Sequence, residues 1–278
     1  MEYITGKRAK TGMFGRLFSK VLMGTLFSPV FGWRGDKTVD VENFRHIGVD
    51  NSSISVALRK SKAELPKGVV ILCHPFLKYG MSYFFKNEYH QWLAQAGYHV
   101  VGFNFKGFGL STVEGVSFSE DVISMVLWAN SEYPVLPIHI LGLSFGAFHG
   151  IHALAAQKVK ISSVIFDSVP VSISTFFGDG LLGVFMRWLS KSRWSHITGT
   201  KEILGSLPLP RGIACLFLYG NQDKYVSLSE IEKVRTICGA ENVVMYTNCG
   251  HIEIRKKHPH EYIELVTKFF DAHSVSKT

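Results

Sequence analysis

Ser144 stands in the pattern Gly142-x-Ser144-x-Gly146, a spacing that could support nucleophilic chemistry. The pattern follows a short apolar run at 138–143 and precedes small residues that predict a helix from Phe145. A serine at such a sharp strand-to-helix turn exposes its hydroxyl, and glycine is needed on both sides because side chains there would collide with the neighbouring strand and helix. The amide of Phe145, at the helix N-terminus, would face a developing oxyanion. Ser144 is therefore the candidate nucleophile.

A serine hydroxyl is a poor nucleophile at neutral pH and needs a histidine base that a carboxylate orients. Among twelve histidines, His251 is favoured because it follows Gly250 in the loop after the last predicted strand. Asp223 follows the preceding predicted strand and is the first candidate for the acid. Asp167, at the end of the strand after the Ser144 turn, remains the alternative acid.

A second amide donor for an oxyanion is expected in His74-Pro75-Phe76, which follows a predicted buried strand. Because Pro75 lacks an amide hydrogen, the donor would be the amide of Phe76. His74 is interpreted as a residue that orders this loop. His149 and His152 lie on the helix after Ser144 and are interpreted as packing or helix-face residues.

The elements that must position these groups alternate along the chain. Apolar runs predict strands at 44–49, 53–58, 68–73, 98–105, 138–143, 161–166, 213–219 and 242–246. Helices are predicted at 83–96, from Ser119 as N-cap to about 133, from 145, from a capping box at 227, and from 259 to about 270. The first two strands form a hairpin, and the alternation that follows predicts an α/β fold with a mainly parallel sheet flanked by helices. The candidate groups then follow strand ends, where such sheets bind ligands.

Composition places one folded domain at 38–278, because 278 residues with 46% hydrophobic content can bury a sizeable core. The long connection at about 168–210 is rich in large apolar residues and predicts an inserted helical cap. Four scattered cysteines lack metal-ligand spacing and are expected to be buried free thiols of a reducing compartment. No basic and aromatic pattern indicates nucleic-acid binding. The sequence does not indicate an oligomeric state.

Residues 1–37 form a basic segment, with seven basic and two acidic residues and a net charge of +5 out of +8. Within it, 11–26 fits an amphipathic helix. Two hypotheses remain open: packing on the domain or on a second subunit, and peripheral contact with an anionic membrane surface. The uncharged run at 21–33 is too short to span a bilayer, and no signal-peptide cleavage site follows it. A cytoplasmic protein is expected, with or without membrane association.

From about residue 44 onward the chain resembles the α/β-hydrolase superfamily, in particular its serine-aminopeptidase-like and monoacylglycerol-lipase-like branch. The order Ser144, Asp223, His251 is that of the superfamily. The other matching pieces are His74-Pro75-Phe76, Gly97-Tyr98-His99-Val100-Val101, Asn104-Phe105-Lys106-Gly107-Phe108-Gly109-Leu110-Ser111, Gly220-Asn221-Gln222-Asp223 and Gly250-His251. The family usually has the sequence Asp-x-Arg-Gly-x-Gly-x-Ser in this loop. Here Asn104 replaces the aspartate and Lys106 replaces the arginine, so the carboxylate and the guanidinium that would brace the loop are absent. Pro75 stands where glycine is common.

These residues predict a serine hydrolase that cleaves an ester or thioester with an apolar acyl part, without a cofactor or metal. Ser144 would attack, His251 would act as base and then acid, Asp223 would orient it, and the amides of Phe76 and Phe145 would hold the oxyanion. A small-molecule acyl substrate is the expected partner. Two alternatives stay open: an acyltransferase or amide or peptide hydrolase with the same triad, and a non-catalytic ligand-binding protein of this fold.

Overall fold

The centre of the molecule is one β-sheet. The computed structural model describes residues 38, 40–77, 79–112, 117–156, 159–192, 195 and 200–274. The strands in these residues are β1 (Glu42–Ile47), β2 (Ser53–Arg59), β3 (Gly68–Cys73), β4 (Tyr98–Phe103), β5 (Ile138–Leu143), β6 (Ser163–Asp167), β7 (Ala214–Gly220) and β8 (Val243–Tyr246). Their order across the sheet is β1-β2-β4-β3-β5-β6-β7-β8.

The sheet is parallel except at one edge. β1 pairs with β2, and β2 with β4, in antiparallel fashion, whereas all pairs from β4 to β8 are parallel. The predicted hairpin and the predicted mainly parallel sheet are both confirmed. Parallel strands that begin together also end together, so the loops after β3, β5, β6, β7 and β8 meet at one edge of the sheet.

Helices cover both faces of the sheet. They are α1 (Ser82–Lys86), α2 (Tyr89–Gln95), α3 (Phe118–Glu132), α4 (Phe145–Ala156), α5 (Leu181–Lys191), α6 (Leu228–Cys238), α7 (Ile254–Lys257) and α8 (Pro259–Ala272) in the described residues. The predicted capping box of α6 is present, because Ser227 Oγ accepts from the amide of Glu230 and the Glu230 carboxylate accepts from the amide of Ser227. Pro259 occupies the first turn of α8, as predicted.

Two helix predictions were wrong in detail. The single helix predicted at 83–96 is divided into α1 and α2, because Glu88 between them has a left-handed backbone with φ 60°. The side-chain amide of Asn87 donates to the carbonyl of Tyr83 at 2.8 Å, where α1 ends. Ser119 does not cap α3; the N-cap position belongs to Ser117, whose hydroxyl contacts that of Ser119 at 2.6 Å.

The core lies on both faces of the sheet. Every residue of β3 is buried, and its side chains alternate between two clusters: Val69 and Ile71 pack against residues of α3 and α4, whereas Val70 and Leu72 pack against residues of α2 and α8. This alternation follows from the two-residue repeat of a strand. It explains why the strand reads as an unbroken apolar run, since both of its faces are covered.

The four cysteines are free. Cys73 and Cys249 are buried as expected, whereas Cys215 and Cys238 are half-buried. Burial raises the pKa of the Cys73 thiol, which keeps that thiol protonated and weakly reactive. The prediction of buried free thiols is therefore confirmed for two of the four.

The predicted basic segment 1–37, including the amphipathic pattern at 11–26, lies outside the described residues. So do residues 193, 194 and 196–199 of the predicted cap. Within the residues that the structure does describe, no helix has the length and apolar character needed to cross a membrane.

Candidate active site

Ser144 lies at a tight turn between β5 and α4. Its φ of 50° is in the left-handed region, which is uncommon for a residue other than glycine. The amide of Ser144 donates to the carbonyl of Asp167 at 2.8 Å, which ties the turn to the neighbouring strand β6. The hydroxyl therefore stands at the edge of the sheet where the parallel strands end.

The two glycines of the pattern leave no room for a side chain. A Cβ atom at Gly146 would lie 2.0 Å from the carbonyl oxygen of Cys73, at the end of β3. A Cβ atom at Gly142 would lie 2.8 Å from the Cα of Ala147 on α4. Both clashes are with backbone atoms, so no side-chain rearrangement could relieve them. The close approach of strand and helix that forms the Ser144 turn requires glycine at both positions, and Ser144 itself is 3% exposed rather than open to solvent as the turn predicted.

His251 lies between Ser144 and Asp223. Its Nε2 is 2.7 Å from Ser144 Oγ, and its Nδ1 is 2.7 Å from Asp223 Oδ2. Because a carboxylate only accepts hydrogen bonds, Nδ1 carries the ring hydrogen and Nε2 can accept the serine proton. The Asp223 side chain is fully buried, and its Oδ1 accepts from the amides of Tyr225 at 2.8 Å and Val226 at 3.2 Å. The structure thus brings the three predicted residues together with both oxygens of the acid engaged.

Asp167, the alternative acid, supports the same site from behind. Its Oδ1 accepts a hydrogen bond from the hydroxyl of Ser168 at 2.8 Å, and that hydroxyl accepts from the amide of Ile252 at 3.0 Å. Burial raises the pKa of Asp167 to about 6. The hydrogen bond to His251 comes from Asp223, whereas Asp167 reaches the His251 loop only through Ser168. No pattern in the sequence identified Ser168.

His74 orders the loop after β3. Its Nε2 accepts a hydrogen bond from the amide of Phe105 at 3.2 Å. Nδ1 must then carry the hydrogen, and it donates to the carbonyl of Pro75 at 2.8 Å. Burial lowers the pKa of His74 to about 4, so the ring is neutral at physiological pH. These contacts agree with its interpretation as a loop-ordering residue.

The two predicted oxyanion donors lie in adjacent segments. The rings of Phe76 and Phe145 contact each other, with centroids 5.3 Å apart. Phe145 is buried at the first position of α4, and Phe76 is partly exposed in the loop after β3. The role of their amides stays a prediction, which the proximity of the two segments supports.

Asn104 and Lys106, the two departures from the family sequence in the loop after β4, both make buried contacts. Asn104 is buried, and its Oδ1 accepts from the amide of Met81 at 2.8 Å. The ammonium of Lys106 bonds Asp50 and lies 3.3 Å from Asp121 Oδ1. Burial alone would lower the pKa of Lys106, but these carboxylates outweigh it, so its pKa is raised and the charge is retained. The loop is braced by a buried ion cluster that sequence reasoning missed, although a lysine inside an aromatic stretch signals a need for buried acids.

His149 and His152, interpreted from the sequence as packing or helix-face residues, both lie on α4. His149 is fully buried, contacts the rings of Phe145 and Phe118, and has no hydrogen-bond partner for either nitrogen among the described residues. Burial lowers its pKa, so it is neutral. The two nitrogens of His152 lie 3.0 Å from Ser206 Oγ and 2.8 Å from the carbonyl of Lys201. No cluster of three potential metal ligands occurs in the part of the chain that the structure describes.

The connection between β6 and β7 approaches the site through an aromatic contact. Phe176 lies in a 3₁₀ turn at Ile173–Phe177, and its ring centroid is 4.9 Å from that of Tyr225 and 5.5 Å from that of His251. Helix α5 follows with Met186 and Leu189 buried. Five large apolar residues of α5 are exposed: Leu181, Leu182, Val184, Phe185 and Trp188.

A surface pocket of about 350 Å³ lies beside His251. Besides His251, it is lined by Gln222, Lys224 and Tyr225 from the loop after β7 and by Gly250 and Glu253 from the loop after β8. We call it the His251 pocket. Polar and apolar surface contribute about equally to its lining, so it differs from the apolar surface that the sequence predicted for the cap.

Comparison with solved structures identifies the fold. An esterase of Pyrococcus furiosus aligns with a TM-score of 0.67 over 87% of this chain and 96% of its own, at 19% identity. A Xanthomonas campestris protein described as an α/β serine hydrolase without a lid aligns with a TM-score of 0.60 over 88% and 100% of the two chains, at 16% identity. The α/β hydrolase GrgF of a Penicillium species aligns with a TM-score of 0.65 over 85% and 99%, at 13% identity. The chain therefore has the α/β-hydrolase fold.

The family follows from the sequence itself. Residues 64–208, more than half of the chain, match the model of the serine aminopeptidase family S33. The chain belongs to this family and is a serine hydrolase of the α/β-hydrolase type. A comparison with curated protein sequences finds no match.

Proposed function

We propose that the protein hydrolyses a carboxylic ester or thioester with an apolar acyl part through an acyl-enzyme on Ser144. The observation that carries the proposal is the pair of 2.7 Å contacts that link Ser144 to His251 and His251 to Asp223. This arrangement is the one that lets an ordinary serine hydroxyl act as a nucleophile at neutral pH.

The first half of the reaction forms the acyl-enzyme. Ser144 Oγ attacks the substrate carbonyl carbon while its proton passes to His251 Nε2. The resulting imidazolium is stabilised by the buried carboxylate of Asp223. The oxyanion accepts hydrogen bonds from the amides of Phe76 and Phe145. His251 then gives the proton to the leaving oxygen or sulfur as the bond from that atom to the carbonyl carbon breaks.

The second half releases the acid. Water enters, loses a proton to His251 Nε2, and attacks the acyl carbonyl. Collapse of the second tetrahedral intermediate returns the proton to Ser144 Oγ and regenerates the enzyme. The overall reaction has then added one water molecule across the ester or thioester bond. An alcohol or amine in place of water would transfer the acyl group instead.

An apolar acyl part is supported by the surroundings of the β6–β7 connection. We propose that residues 168–210 act as a cap over the site, with Phe176 as its contact to His251. The exposed apolar side of α5 supplies further surface that an acyl chain could cover.

A chain-length series tests this proposal. Purified protein would be assayed with p-nitrophenyl esters from acetyl to palmitoyl and labelled with a fluorophosphonate probe. Ser144→Ala should lose labelling and about 10³-fold or more in kcat/KM. The matched control is Ser163→Ala, because Ser163 is also buried but lies at the start of β6, where it contacts His139. This variant should keep both labelling and turnover.

The outcomes separate the alternatives. A chain-length optimum longer than acetyl supports an apolar acyl site, and a flat series contradicts it. Transfer of the acyl group to an added alcohol or amine, in preference to water, would indicate an acyltransferase. A folded wild-type protein that neither turns over esters nor reacts with the probe would contradict the catalytic proposal and favour a ligand-binding role.

A further inference from the structure

The His251 pocket is formed by the two loops that carry the acid and the base. Gln222, Lys224 and Tyr225 surround Asp223 in the chain, and Gly250 and Glu253 flank His251. The pocket therefore borders the catalytic histidine directly. Its volume of about 350 Å³ is enough for a group of moderate size, such as a substituted aromatic ring or a phosphorylated alcohol.

Proton transfer determines which part of a substrate lies on this side. Nδ1 of His251 is held by Asp223, so only Nε2 exchanges protons with the substrate. The atom that receives the proton from Nε2 is the leaving oxygen or sulfur. The leaving group must therefore pass along His251, whereas the acyl part extends away from it. His251 is a wall of the pocket, whereas Ser144 is not part of its lining, so we place in the pocket the distal part of a leaving group that passes along His251.

The charged side chains in and beside the pocket differ in the partners that they have. The Glu253 carboxylate is compensated, because it lies 2.8 Å from the ammonium of Lys257 and accepts from the amide of Gly250 at 2.9 Å. Asp223 is buried and bonded to His251. Lys224, by contrast, has no carboxylate partner in the part of the chain that the structure describes. The hydrogen bond to His251 does not cancel the negative charge of the Asp223 carboxylate, so Lys224 supplies the unpaired cation of the wall without giving the pocket a net positive charge.

The remaining walls combine polar side chains with an aromatic ring. Gln222 offers a side-chain amide, and its backbone is fixed by a 2.8 Å hydrogen bond to the carbonyl of Cys249. The Tyr225 ring stands edge-on to His251, with centroids 5.0 Å apart, and is 42% exposed. An aromatic face, an amide and a lysine together favour a leaving group that is polar and anionic.

We propose that the His251 pocket binds a leaving group that carries a carboxylate or a phosphate, with Lys224 as its cationic partner. This inference rests on the hydrolase function proposed above. It narrows the substrate to the acyl ester or thioester of an anionic alcohol or thiol. Lys224 is then a specificity-determining residue, since it contacts the substrate but takes no part in the bond changes.

The test compares aryl esters with the same acyl part whose leaving groups differ chiefly in charge. The hexanoate ester of 3-hydroxybenzoate is anionic, that of methyl 3-hydroxybenzoate is neutral, and 3-(hexanoyloxy)phenyl phosphate is a second anionic ester. The quantity measured is the ratio of kcat/KM for each anionic ester to that for the neutral one. It is determined for the wild type and for Lys224→Gln and Lys224→Glu, with fluorophosphonate labelling to count active sites. Lys233→Gln, which changes an exposed lysine of α6, is the matched control.

The wild type should prefer an anionic ester by about fivefold, the upper range for an exposed ion pair, and added salt should reduce the preference. Lys224→Gln should bring the ratio to about one and Lys224→Glu should invert it, while Lys233→Gln leaves it unchanged. Which anionic ester is preferred distinguishes a carboxylate from a phosphate. Equal rates on anionic and neutral esters, or a preference that survives Lys224→Glu, would overturn the inference while leaving the hydrolase function intact. Absence of both turnover and probe labelling would overturn both proposals.

Discussion

Replacing Asp167 by asparagine should make the stability of the protein less sensitive to pH. Asp167 is 1% exposed at the end of β6 and accepts a hydrogen bond from Ser168. Asparagine has the same shape, and its side-chain oxygen can accept the same hydrogen bond. The substitution therefore removes the titration of Asp167 and preserves the packing around it.

The direction follows from the raised pKa. Burial raises the pKa of Asp167 from an ordinary value of 3.8 to about 6 in the folded protein. Between these values the folded protein binds more protons than the unfolded chain, so stability falls as pH rises from about 4 to about 6. The difference of about two pH units corresponds to about 3 kcal/mol of unfolding free energy once both states are ionised. The Asp167→Asn variant should not show this loss of unfolding free energy.

Urea unfolding of both proteins across this range measures the effect. The free energy of unfolding of Asp167→Asn minus that of the wild type should increase by about 2 kcal/mol between about pH 4 and about pH 8. Taking the difference cancels the titration of other groups that both proteins share. Asp179→Asn is the control, because the Asp179 side chain is fully exposed and its ion pair with Arg187 at 3.3 Å lies at the surface, so the substitution removes no buried carboxylate.

A difference between Asp167→Asn and wild type that stays constant with pH would refute the reasoning. It would mean that hydrogen bonding, from Ser168 above all, keeps the buried carboxylate as easily ionised as it is in water. A difference that decreases with rising pH would mean that the folded protein favours the charged form. Retention of probe labelling by the same variant would in addition indicate that Asp167 does not act as the acid that orients His251.

Three further predictions concern the site and the loops around it. Asp223→Asn should lower kcat by about 10³-fold to 10⁴-fold, because an amide no longer holds His251 with its hydrogen on Nδ1; a loss below about tenfold in steady-state assays would contradict this. Gly146→Ala should prevent folding, since the new Cβ would lie 2.0 Å from a carbonyl oxygen, whereas the Cβ of the control Gly180→Ala would have no atom within 4 Å, so that variant should melt like wild type. Soluble yield and thermal unfolding measure both variants, and a stable Gly146→Ala protein would contradict the clash. Lys106→Met should destabilise the protein by about 3–5 kcal/mol in urea unfolding, because the substitution leaves Asp121 buried without its cation. A change under about 1 kcal/mol would show that the ion cluster tolerates the loss of the lysine charge.

The strands were predictable because their residues are covered on both faces. The predicted limits at 68–73 and 138–143 are those of β3 and β5, since turn-forming or polar residues bound each apolar run. The division of the helix predicted at 83–96 was not predictable in the same way. Glu88 and its neighbours keep a helix-compatible composition, and the left-handed backbone at Glu88 is a feature of the folded chain alone.

The buried ion cluster around Lys106 could not be predicted from the sequence for a related reason. Lys106 was recognised as a departure from the family pattern, but its partners lie 56 residues before it and 15 residues after it in the chain. The contact with Asp50 depends on the turn between β1 and β2, and that with Asp121 on the first turn of α3. Interactions of this kind depend on the tertiary arrangement, which spacing along the chain does not contain.

The choice between the two candidate acids shows what the sheet adds to the sequence. Asp167 and Asp223 both follow parallel strands, and Asp167 even pairs in register with Leu218 of β7. The strand before His251, however, is β8, which pairs with β7 and not with β6. The loop that carries His251 therefore emerges beside the loop that carries Asp223, and Asp167 can reach it only through the Ser168 hydroxyl. Strand order, which no local pattern specifies, is what gives one aspartate the hydrogen bond to His251 and the other a position behind the loop.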